Sequence, residues 1–132
     1  MNIQALVFAV AIVEDDPSVR EALRSLLTSA GYAVLAFESA TAFLAEREAH
    51  VISCLLVDAQ MPALSGLSLQ KRLLDMNVSI PIIFVTGRAD EVREQALERG
   101  AIAVLAKPFA ADELLDAIQS AIAGSGGGQP PA

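Results

Sequence analysis

The chain has 132 residues, a length for one domain with a core of its own, and 54% of them are hydrophobic, with a mean hydropathy of +0.50. The formal net charge of −7 argues against direct contact with nucleic acid or with an anionic membrane surface. Cys54 is the only cysteine and His50 the only histidine, which excludes an internal disulfide and a structural zinc site.

Apolar runs alternate with helical periodicity five times along the chain. Residues 6–13 read as a first strand, too short for a membrane span. No basic residue precedes Arg20, so the charged start of a signal peptide is missing and a cytoplasmic location is expected. Glu14, Asp15 and Asp16 follow that strand directly. Residues 17–30 then predict a helix with Val19, Leu23, Leu26 and Leu27 on one face. Asp16 before Pro17 fits an N-cap with proline at the first helical position, and Gly31 fits the C-terminal cap.

Residues 33–37 predict a second strand. Ser39 caps a helix to about residue 48, with Phe43 and Leu44 inward. A third strand, residues 51–57, ends at Asp58, and its Cys54 is expected to be a buried, inert thiol. A loop with Met61-Pro62 and Ser65-Gly66 leads into a helix through Leu67, Leu69, Leu73 and Leu74. Residues 80–85 predict a fourth strand, ending at Thr86. Residues 90–99 predict a helix stopped by Gly100, with only Val92, Ala96 and Leu97 as its apolar stripe. So narrow a stripe implies weak docking and a helix near the low-stability end of the domain. Residues 101–106 predict a fifth strand, ending at Lys107, and residues 111–123 a last helix with Leu114, Leu115, Ile118 and Ile122 inward. The domain is therefore placed at residues 1–123, with 124–132 a Gly/Pro-rich tail or linker.

Five β–α units with short connections define an α/β fold. The expected form is a five-stranded parallel sheet with helices on both faces, in the flavodoxin-like order 2-1-3-4-5. That order makes strands 1, 3, 4 and 5 neighbours, so Glu14, Asp15, Asp58, Thr86 and Lys107 converge at one sheet edge. Asp15 and Asp58 can hold Mg²⁺ directly, with Glu14 acting through a water and the Gln60 carbonyl adding an oxygen. Two carboxylates about 4 Å apart repel by ~4 kcal/mol at an effective dielectric of 20. Without metal, at least one acid in the cluster is expected to have a raised pKa. Such a cluster suits phosphoryl transfer to a carboxylate nucleophile, best assigned to Asp58 on the central strand. Thr86 and Lys107 would contact the phosphoryl oxygens. A cis Lys107–Pro108 bond would aim the lysine inward.

The motifs Ile12-Val13-Glu14-Asp15-Asp16, Asp58-Ala59-Gln60-Met61-Pro62, Val85-Thr86-Gly87 and Ala106-Lys107-Pro108-Phe109 resemble those of the response-regulator receiver domains of bacterial two-component systems. The phrases Phe37-Glu38-Ser39-Ala40 and residues 80–87 are most similar to the FixJ-type subgroup. The resemblance implies a phosphoryl-accepting switch, phosphorylated on Asp58 by a sensor histidine kinase. Mg²⁺ would be bound by Glu14, Asp15, Asp58 and the Gln60 carbonyl. Output would run through the face of helix 4, strand 5 and helix 5 to an output domain, a downstream protein or a homodimer. Such a switch catalyses only its own phosphorylation and dephosphorylation and is not an enzyme with a separate product.

Two departures from the family pattern fall on the output face. Val104 stands where most relatives carry Tyr or Phe, and the stretch from Thr86 to Gly100 is slightly shorter. Together they suggest intact phosphorylation chemistry with atypical signal propagation, with small shifts at Val104 and larger ones in residues 87–99 on activation. A flavodoxin-like electron carrier is disfavoured by Glu-Asp-Asp after the first strand. An aspartyl-phosphate phosphatase is disfavoured by Gln60 and the lack of room for a cap domain. The remaining alternative is a phosphorylation-independent receiver acting as an interaction module.

Overall fold

The computed structural model describes residues 9–124. Its elements run β1 (Ala9–Val13), α1 (Pro17–Ser29), β2 (Ala33–Phe37), α2 (Ala40–Glu46), a 3₁₀ turn (Arg47–Ala49), β3 (Ile52–Val57), α3 (Gly66–Asp75), β4 (Ile82–Thr86), α4 (Ala89–Glu98), β5 (Ala103–Ala106) and α5 (Ala111–Gly124). The strands form one parallel sheet in the order β2-β1-β3-β4-β5, the expected topology. Residues 6–8 of the expected first strand and residues 125–132 of the expected tail lie outside the described residues.

The unbroken apolar runs follow from burial of both sheet faces. On one face Ala11, Val13, Leu55, Val57 and Phe84 pack with Phe43 of α2, Leu69 and Leu73 of α3, and Val92 and Ala96 of α4. On the other, Val10, Ile12, Cys54, Leu56, Ile83 and Val85 pack with Leu23 and Leu27 of α1 and Leu114 and Ile118 of α5. Alternate residues of each strand serve opposite faces, as the two-residue strand period requires. Cys54 is fully buried, and burial pushes its thiol up to about 12, which keeps it an inert thiol.

Several boundaries differ from the sequence expectation, each for a local reason. The fourth strand starts at Ile82, not residue 80, because Pro81 has no N–H for the ladder; its carbonyl still accepts from Leu55 N at 2.9 Å. The fifth starts at Ala103 because Ala101 N donates back to Ala96 O at 3.0 Å, finishing α4 through Gly100 at φ +99°. Val51 stays outside β3, and α2 tightens into the 3₁₀ turn after Glu46. Leu74 of α3 is 50% exposed and Leu97 of α4 44%, and with Leu97 outward the apolar stripe of α4 is narrower than expected. Among the described residues no helix is long and apolar enough to cross a membrane.

Candidate functional site

The register of the sheet builds the site. Val13 pairs with Val57, so the next residues, Glu14 and Asp58, leave adjacent strands side by side. Asp58 N donates to Val13 O at 3.2 Å, which holds the two chains together one residue past the ladder. Thr86 pairs with Ala106, and Lys107 N donates to Thr86 O at 2.9 Å. Glu14, Asp58, Thr86 and Lys107 thus meet at the carboxyl edge of the sheet, where open α/β folds bind ligands.

Lys107 closes the site electrostatically. Its Nζ lies 3.0 Å from Glu14 Oε1 and 2.9 Å from Asp58 Oδ2. Both acids are nearly buried, at 2% and 9% exposure. Burial raises the Glu14 carboxyl above its ordinary 4.5, against the opposing hydrogen bonds from Lys107 and Asp16 N. The expectation of a raised acid in the cluster therefore falls on Glu14. Burial alone would lower Lys107, but its hydrogen bonds to Asp58 and Glu14 outweigh that and hold the ammonium above 10.5. The Lys107–Pro108 peptide is cis.

Asp15 is exposed, yet one oxygen each from Glu14, Asp15 and Asp58 lie within 4.8 Å of one another. Three hard oxygen donors at that spacing fit a Mg²⁺ ion, which takes carboxylates and keeps several waters. Gln60 also reaches the cluster, through its backbone N–H, which donates to Asp58 Oδ1 at 2.9 Å. Asp58 therefore has one oxygen held by Lys107 and the other by the chain two residues on. Asp16 is the helix cap expected: its Oδ1 accepts from Ser18 N at 2.8 Å and Val19 N at 3.4 Å. Thr86 is fully buried, and its hydroxyl oxygen accepts from Arg88 N at 3.2 Å.

Three supporting features lay beyond the sequence reading, which noted Ser65-Gly66 in the loop but not how it packs. Arg20 Nη1 donates to Glu14 O at 2.8 Å and, more weakly, to Asp15 O at 3.5 Å, clamping the acidic loop. Its position one turn into α1 was the available signal. Gly66 packs against the backbone of Asp58 and Ala59 and donates its N–H to Ala59 O at 3.0 Å. The loop before it turns at Ala63, with φ +66°, for which a non-glycine sequence gives no cue.

Residues 10–119 match the family model of the response regulator receiver domain, and the chain belongs to that family. It is 44% identical over 119 residues to nodulation protein W of Bradyrhizobium diazoefficiens, covering 89% of this chain and 51% of that protein. It is 44% identical over 112 residues to response regulator protein TmoT of Ectopseudomonas mendocina, covering 84% and 51%. Among solved structures, the crystal structure of FixJ-N superposes with a TM-score of 0.81 at 36% identity, over 86% of this chain and 92% of that one. The chain spans about half the length of these curated relatives.

Proposed function

We propose that Asp58 is the phosphoryl acceptor of a two-component switch, supplied by a sensor histidine kinase. The observation that carries this reading is the meeting of a nearly buried carboxylate with a lysine 2.9 Å away, beside two further acids and a buried threonine. An oxygen of Asp58 attacks phosphorus, the bond from phosphorus to the donor's imidazole nitrogen breaks, and the freed imidazole takes up a proton. Water later attacks the same phosphorus, the bond from phosphorus to the Asp58 oxygen breaks, and inorganic phosphate and a proton leave as the carboxylate is restored. The chain catalyses only its own phosphorylation and dephosphorylation and acts on no outside substrate, so it works as a switch and not as an enzyme.

Glu14, Asp15 and Asp58 would hold Mg²⁺, together with the Gln60 carbonyl. The ion would supply neutralising charge to the transferring oxygens. Lys107 donates to the phosphoryl group once one of its present acceptors carries it. Thr86 turns its hydroxyl toward the same group and releases Arg88 N, which connects the acceptor to the start of α4. Partners beyond the kinase are an output domain or a downstream protein reached through α4, β5 and α5. The acidic charge leaves nucleic acid to such a domain.

Intact mass after incubation with acetyl phosphate tests the reading. A Mg²⁺-dependent gain of one phosphoryl group, absent in Asp58→Ala, is expected. No gain with Mg²⁺ would instead favour an interaction module that works without phosphorylation.

A further inference from the structure

The three acids of the site are not held equally. Glu14 is tied at both carboxylate oxygens, Oε1 by Lys107 Nζ at 3.0 Å and Oε2 by Asp16 N at 3.1 Å. Asp58 is tied by Lys107 Nζ and by Gln60 N. The Asp15 side chain is exposed and, among the described residues, has no hydrogen bond or ion pair. Its carboxylate keeps its place beside the other two only if the backbone that carries it is fixed.

Arg20 fixes that backbone. Its Nη1 donates to Glu14 O at 2.8 Å and, at the limit of a hydrogen bond, to Asp15 O at 3.5 Å. These are the carbonyls of the two peptide units that flank the Asp15 Cα. The shorter contact has the length of a charge-assisted hydrogen bond. Arg20 stands one turn into α1, near the positive end of the helix dipole, where a cation is disfavoured. It is half-buried and, among the described residues, forms no ion pair with the acids around it. It faces carbonyl oxygens instead and leaves the carboxylates free for a cation. We propose that Arg20 is a positioning residue for Mg²⁺, which sets the affinity of the site by gripping the backbone on both sides of Asp15. This role rests on the reading that Glu14, Asp15 and Asp58 hold the ion. Direct electrostatics predicts the opposite sign, because a guanidinium beside the site repels a divalent cation and its removal would tighten binding.

The test titrates MgCl₂ at constant ionic strength into ¹⁵N-labelled parent, Arg20→Ala and Arg20→Lys, following the amides of residues 14–16 and 58–60 by NMR. Arg20→Ala should raise the Mg²⁺ dissociation constant about tenfold, as loss of a residue that orients a ligand does. Arg20→Lys keeps the charge without the planar fork and should fall between Arg20→Ala and the parent. Urea unfolding without metal separates this role from a merely structural one. A lowered midpoint for Arg20→Ala with an unchanged dissociation constant would overturn the positioning role. Tighter binding by Arg20→Ala, with Arg20→Lys like the parent, would overturn it too and leave only charge repulsion. A parent without a saturable shift at millimolar MgCl₂ would sink the cation reading itself, and this role with it.

Discussion

Asp58 is held by groups that lie far apart in sequence, and Gly66 is the least conspicuous of them. A Cβ at this position would overlap the Asp58 carbonyl oxygen and lie 2.8 Å from Ala59 Cα. Both obstacles are backbone, so neither can rotate away. Gly66→Ala is expected to cost about 1–3 kcal/mol, as overpacking does, and to lower phosphorylation by displacing the acceptor. Urea unfolding reads the first effect and intact mass the second; an unchanged midpoint would show that the loop yields without cost. Glu14 gives a prediction about pH. Its folded pKa is raised, so its ionised form disfavours the native state. The resulting loss of stability sets in as pH rises from 4.5 through the folded value. Lys107 has the opposite dependence: its raised pKa contributes stability below 10.5 that disappears as pH rises through its folded value. Glu14→Gln keeps an acceptor for Lys107 and removes the buried charge. In the absence of metal it should be more stable than the parent at pH 7, with a flatter profile above pH 4.5. A midpoint that falls at pH 7 would mean that the Lys107 ion pair outweighs the burial of Glu14.

At the scale of elements, α4 docks through a narrow apolar stripe. It buries Ala89, Val92 and Ala96 but leaves Leu97 largely exposed. Polar bonds add to its apolar packing: Arg93 Nη2 donates to Val104 O of β5 at 3.1 Å, and Gln70 on α3 donates to Ala96 O. Arg93→Ala should cost about 1 kcal/mol for the lost hydrogen bond and speed hydrogen exchange in residues 89–98 more than in α1 or α5. Equal protection in the parent and variant would show that apolar contacts alone secure the helix. The bond also ends at Val104, so it ties α4 to the last strand of the sheet. The sheet order, both core faces and the edge residues were legible because each polar site residue terminates an apolar run. Glu14, Asp58, Thr86 and Lys107 needed only the strand order to be placed together. What escaped was set by contacts between distant segments. The Arg20 clamp depends on how α1 leaves Asp16, and the Gln70 bridge joins α3 to α4. Neither has a period or spacing that a linear reading can detect.

At the scale of the whole molecule, the acids are brought together only by folding, since Glu14 and Asp15 follow β1 whereas Asp58 follows β3. An unfolded chain offers no comparable cluster, so a cation bound there stabilises the native state by linkage. At a free Mg²⁺ concentration a hundredfold above the dissociation constant the gain is about 2.7 kcal/mol. Nonspecific screening of the net charge of −7 also stabilises, but it acts through ionic strength and does not saturate at one ion per chain. The two are separated by following the urea midpoint against MgCl₂ and against NaCl at matched ionic strength. The MgCl₂ series should rise further and level off, whereas Asp15→Asn should lose most of the excess, because Asp15 is exposed and its removal leaves the Lys107 bridge intact. Acid should weaken the same excess, since a proton on Glu14 competes with the ion and burial already favours that proton. If Asp15→Asn followed the parent through the whole series, the stabilising ion would be bound elsewhere, and the three carboxylates would be balanced by Lys107 alone.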